Sequence, residues 1–173
     1  MALGAIRFFF VEGGMALSLL KARYRFPSVL EITAEDLRRA NVKAVLIDAD
    51  NTLSFHGSQE PYPGVPEWLQ KMKENGIPFV IISNNERERI KPFAERLELP
   101  FVEKSKKPLP FGFRRACKML GVKPSETAVI GDQIFTDVLG GNLIGAKVFL
   151  TEPLGPDTDK YIKAKRHFEK WFR

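Results

Sequence analysis

From Lys43 onward, short apolar runs alternate with longer amphipathic segments, and no other feature of the sequence restricts the fold as much. Continuous apolar runs suit strands buried on both faces, and such strands belong to parallel sheets covered by helices on either side. The pattern predicts strands at 44–48, 79–83, 128–131 and 147–150, with a weak one near Phe101. Helices are expected in the gaps. The first runs from near Pro66, a favoured residue for an opening turn, to just before Gly76, with Val65, Leu69 and Met72 on one face. The others are expected at about 86–97, 110–120 and 136–144, each stopping at a glycine or at a loop that ends in proline. The expected class is α/β, a three-layer Rossmann-like fold with a central parallel sheet.

The composition agrees with one domain over residues 1–173, since 44% hydrophobic content can build a single core and 28% charge does not point to disorder. Cys117 is the only cysteine, so no internal disulfide forms and a cytoplasmic setting is expected. Its place between Phe113 and Leu120 reads as a buried thiol. The run Phe8 to Val11 is bracketed by Arg7 and Glu12, well short of the ~20 apolar residues that span a bilayer. Met15 is an alternative start to Met1. A net charge of +6 suits an acidic partner: a phosphate ester, a nucleic acid or an anionic membrane. Much of that charge lies in the tail, where six basic residues between Lys160 and Arg173 face Glu169 alone. A basic helix is expected over 157–173, its aromatics Tyr161, Phe168, Trp171 and Phe172 either docked on the sheet or laid on a membrane.

Four short strings carry chemistry. Asp48-Ala49-Asp50-Asn51-Thr52 follows the first strand, and Ser83-Asn84-Asn85 follows the second. Lys107-Pro108 precedes the third helix, and Gly131-Asp132-Gln133, with Thr136 and Asp137, ends the fourth strand. Each alone has a plain explanation: turn residues, a helix cap, a solvated charge run. Asp137 in particular reads equally as a cap or as a functional acid. In an open parallel sheet, however, the carboxyl ends of the strands share one edge, where ligands bind. Asp48, Asp50, Ser83, Lys107 and Asp132 should therefore meet in one cleft, and a hydroxyl, a cation and three acids together make a catalytic site the stronger explanation.

In order and in content these strings resemble the four signature motifs of the haloacid dehalogenase superfamily. The Asp-x-Asp-Asn-Thr and Gly-Asp-Gln-x-x-Thr-Asp forms are similar to IIIA-type phosphatases, and most of all to the bacterial YqeG family, over about residues 26–154. Residues 1–25 are then a lead-in. Ala49 stands where that family usually has Leu, and Lys106 beside Lys107 leaves two candidates for the site lysine. The resemblance implies a phosphatase that forms an aspartyl phosphate on Asp48, with Mg2+ held by Asp48, Asp132 and the main-chain carbonyl of Asp50. It implies that Asp50 is the acid and base, that Lys107 and Ser83 act on the phosphate, and that Ala49, Thr52, Asn84 and Asp137 support phosphate binding. The intervals from Asp48 to Ser83 and from Ser83 to Lys107 hold little more than one helix each, so no cap domain is expected. An open cleft favours a large or surface-bound ester, with phosphatidylglycerophosphate the leading candidate because eukaryotic relatives of the family act on it. Nucleic-acid ends, phosphoproteins and a non-catalytic phosphate-binding role are the alternatives.

Overall fold

The computed structural model describes residues 17–155 and Glu169. Six strands, β1 (Tyr24–Phe26), β2 (Ala44–Ile47), β3 (Phe79–Ile82), β4 (Phe101–Val102), β5 (Thr127–Gly131) and β6 (Lys147–Thr151), form one sheet in the order β1-β6-β5-β2-β3-β4. All pairings are parallel. The helices are α1 (Ala34–Arg39), α2 (Val65–Glu74), α3 (Arg87–Arg96), α4 (Pro110–Leu120) and α5 (Leu139–Ile144).

Alternate side chains of each strand enter opposite layers, as the pleat requires. Val45, Ile47, Phe79 and Ile81 pack with Leu37, Trp68, Leu69, Met72, Ile90 and Phe93, so α1, α2 and α3 cover one face. Leu46, Val80 and Ile82 pack with Phe113, Ala116 and Cys117 of α4 on the other. The thiol of Cys117 is thus core, and burial pushes its pKa up. On that second face α5 comes close to the sheet through Gly140 and Gly141. A Cβ on Gly140 would strike the Phe113 ring, and one on Gly141 would lie 2.7 Å from Val148 Cγ2. Close packing, rather than a dinucleotide-binding turn, explains these glycines.

From β2 the chain first builds outward through β3 and β4, then crosses back to place β5 on the other side of β2. The carboxyl ends of β2 and β5 therefore flank the point where the winding reverses, and in such sheets the ligand crevice opens there.

Three features depart from the expected elements. Tyr24 and Arg25, assigned to a lead-in, belong to β1, which pairs with β6 while Tyr24 and Phe26 stack on Phe149 with centroids 4.4 and 5.9 Å apart. Three residues with an arginine at the centre give too short a period to register as a strand. Helix α1 is started by a capping box, in which Thr33 Oγ1 accepts from Asp36 N–H at 3.1 Å and Asp36 Oδ2 accepts from Thr33 N–H at 2.9 Å. The single helix expected over 136–144 begins instead as a π-helical turn, Ile134–Val138, before α5. The basic helix expected over 157–173, the run Phe8 to Val11 and both candidate starts lie outside the described residues, apart from Glu169. That carboxylate is buried and accepts from Phe135 N–H at 3.2 Å.

Candidate active site

Asp48 immediately follows β2, and its N–H still pairs with Ile130 of β5 at 2.9 Å, which anchors its backbone to the sheet. Its carboxylate lies with those of Asp132 and Asp137, one oxygen from each within 4.8 Å of the others, and all three residues are buried. Asp132 sits at the end of β5 and accepts from Thr52 Oγ1 at 3.5 Å. Asp137 is aimed by the π-helical turn: its Oδ2 accepts from Gln133 N–H at 3.2 Å and from Thr136 Oγ1 at 3.3 Å. Gly131 makes this approach possible, because a Cβ there would collide with the Asp137 carboxyl. A π turn inserted where a helix enters a site is a recurrent functional device.

Lys107 lies between two of the acids, its Nζ 2.7 Å from Asp48 Oδ1 and 2.7 Å from Asp137 Oδ1. Lys106 is exposed, with φ at 56°, so the backbone turns it outward and the choice between the two lysines falls on Lys107. Asn84 shapes this loop: its Oδ1 accepts from Lys107 N–H at 2.7 Å and from Ser105 Oγ at 2.9 Å, and its Nδ2 donates to the Lys107 carbonyl at 3.2 Å. Its contribution thus runs through Lys107. Ser83 is buried at the end of β3, and its Oγ accepts from Asn85 N–H at 3.1 Å, which leaves the hydroxyl proton free to donate.

Asp50 faces elsewhere. Its Oδ2 accepts from Asn85 Nδ2 at 2.6 Å, and its Oδ1 accepts from Arg89 Nη2 at 3.0 Å and Gly57 N–H at 2.9 Å. Its side chain is therefore separate from the three-carboxylate cluster. Ala49 is fully buried, and its carbonyl accepts from the N–H groups of Leu53 and Ser54 at 2.8 and 3.1 Å, which folds the loop after β2 into a tight turn. The sequence pattern carried Asn85 only within the Ser83-Asn84-Asn85 string, with no role of its own, and did not single out Arg89. A hint was present for Arg89, since a cation in the first turn of a helix opposes the helix dipole and calls for a nearby acid.

Electrostatics follow from burial. Removal from water pushes the Asp48 carboxyl up, to about 8; Lys107 opposes that shift while Asp137 and Asp132 reinforce it. Burial alone would lower the Lys107 ammonium, but Asp137 and Asp48 outweigh it and hold it above its usual range. With all three carboxyls ionised, as a bound cation would require, the acids and the ammonium together carry a formal charge of −2. Hard oxygen donors with that balance fit a divalent cation.

The haloacid dehalogenase-like hydrolase family model matches residues 34–145, which contain all of these groups. The chain belongs to this family. It is 38% identical over 143 residues to the probable phosphatase YqeG of Bacillus subtilis (strain 168), covering 83% of each chain. It is 29% identical to the mitochondrial phosphatidylglycerophosphatase GEP4 of Saccharomyces cerevisiae (strain ATCC 204508 / S288c), covering 69% of this chain and 74% of that one. A solved structure described as a subfamily III A haloacid dehalogenase superfamily hydrolase from Legionella pneumophila superposes with a TM-score of 0.51 at 17% identity, covering 79% of this chain and 85% of that one. The chain is thus a haloacid dehalogenase-family phosphatase of the YqeG kind, an α/β hydrolase of phosphoric monoesters.

Proposed function

We propose that the protein is a magnesium-dependent phosphomonoesterase that works through an aspartyl phosphate on Asp48. The observation that carries this reading is the grouping of Asp48, Asp132 and Asp137 around Lys107 at the sheet's switch point. Mg2+ would be held by Asp48 and Asp132, with the Asp50 carbonyl as the family resemblance implies, and would supply charge neutralisation for the transferring phosphoryl oxygens. Asp48 provides the nucleophilic oxygen, and phosphorus passes from the ester oxygen to its carboxylate. Lys107 balances the phosphoryl charge from a position fixed by Asp137. Ser83 Oγ–H donates to a phosphoryl oxygen, while Thr52 steadies Asp132 and Ala49 and Asn84 keep the flanking loops in shape. Asp50, held outside the carboxylate cluster, delivers a proton to the leaving oxygen and takes one from the water that hydrolyses the aspartyl phosphate.

The decisive experiment is hydrolysis of p-nitrophenyl phosphate with and without Mg2+. Turnover should require the metal and disappear in Asp48→Asn. Turnover by Asp48→Asn at the parent rate would end the covalent reading.

For the substrate, a phosphate ester presented at a surface, phosphatidylglycerophosphate above others, has two supports: among the described residues no cap domain is inserted between strands on the site edge, and the chain is similar to a phosphatidylglycerophosphatase. Among the described residues no helix is long and apolar enough to cross a membrane. The contact with lipid in this reading is peripheral, on the cytoplasmic face.

A further inference from the structure

Arg89 occupies the first turn of α3, far in sequence from Asp50, yet it joins three separate pieces of the site edge. Its Nη2 donates to Asp50 Oδ1 at 3.0 Å and to the Ser58 carbonyl at 2.9 Å, while its own carbonyl accepts from Gln59 Nε2 at 2.9 Å. Asp50 in turn accepts from Gly57 N–H on the same loop and from Asn85. The guanidinium thus ties the Asp50 carboxyl, the 57–59 loop and the start of α3 into one unit.

Stability alone does not account for this arrangement. A cation in the first turn of a helix opposes the dipole. Arg89 Nη1 is also buried with no acceptor among the described residues, and an unmet buried donor is costly. A residue kept on these terms is explained by what it holds. Asp50 can exchange protons with the leaving oxygen and with water only if its carboxyl stays outside the carboxylate cluster and in one orientation.

We propose that Arg89 is a positioning residue of the phosphatase site, fixing the orientation from which Asp50 serves the leaving group. This rests on the acid role of Asp50 given above. The consequence is specific to the ester. An alkyl phosphate has a poor leaving group that needs the proton, whereas p-nitrophenolate departs without one, so a misplaced acid penalises the alkyl ester selectively.

The test compares kcat/KM for glycerol 2-phosphate and p-nitrophenyl phosphate in the parent, Arg89→Gln, Arg89→Lys and Asp50→Asn, all with Mg2+ and with thermal melts recorded. The alkyl-to-aryl ratio should fall by about tenfold or more in Arg89→Gln, within the range over which general acids act, and recover in part in Arg89→Lys. If the ratio falls in Asp50→Asn but stays at the parent value in both Arg89 variants, Arg89 is structural and the proposal is wrong. If the ratio is unmoved in Asp50→Asn itself, the acid role of Asp50 fails and this proposal goes with it. Should Arg89→Gln not fold, Arg89→Lys decides: a guanidinium fork replaced by a point charge must still lower the ratio.

Discussion

At the scale of residues, the site depends on a missing side chain as much as on charged ones. Gly131 has no Cβ, and the Asp137 carboxyl occupies the space that one would fill. Gly131→Ala should therefore push Asp137 away from Lys107 and cost about a hundredfold in kcat, as a displacement near 1 Å within a site can. Steady-state kinetics on p-nitrophenyl phosphate measures this, and activity within twofold of the parent would remove Asp137 from the site. Asp48 leads to a second prediction. Burial raises its folded-state carboxyl from 3.8 to about 8 in the metal-free protein, so this group's contribution to stability is complete below about pH 4 and is lost as pH rises through 8. If Mg2+ binds this carboxylate as proposed, the gain in Tm from Mg2+ over EDTA should be larger at pH 8.5 than at pH 5.5. Equal gains at both values would mean that Asp48 is not a ligand.

At the scale of elements, the strands that carry the motifs were legible because burial on both faces leaves an unbroken apolar run. β2, β3, β5 and β6 lie where those runs predict them. β1 and α1 were not, since Tyr24–Phe26 and Ala34–Arg39 are short and are held mainly by what they touch: Phe149 for the strand, and the Thr33 cap with Leu37 in the core for the helix. The π-helical turn was equally hidden, because the residues that make it, Ile134–Val138, also suit an ordinary helix. The seat of α5 makes a sharper claim. Gly140→Ala would drive a methyl group into the Phe113 ring and toward the Pro108 carbonyl 3.2 Å away. Overpacking of this kind costs about 1–3 kcal/mol, so the melting temperature should drop by several degrees in calorimetry. An unchanged melt would show that α5 can shift freely on the sheet.

At the scale of the whole molecule, topology collects residues from Asp48 to Asp137 on one edge, and among the described residues the connections there carry no inserted cap domain. On the proposed reading, a large or surface-bound substrate helps to exclude water from the site. Phosphatidylglycerophosphate in anionic vesicles should be hydrolysed with kcat/KM about tenfold or more above that for free glycerol 3-phosphate, measured by phosphate release; equal values would discard the lipid reading. The sequence by itself determined the fold class and the family and named the candidate site residues, because buried strands and motif residues are read locally, one after another along the chain. Only the tertiary structure decided that Lys107 rather than Lys106 enters the site, that Asp137 joins Asp48 and Asp132, and that Asp50 is held apart by Asn85 and Arg89. Those outcomes depend on distances between residues far apart in the chain, and such distances are set when the sheet winds and its edge closes around the charges.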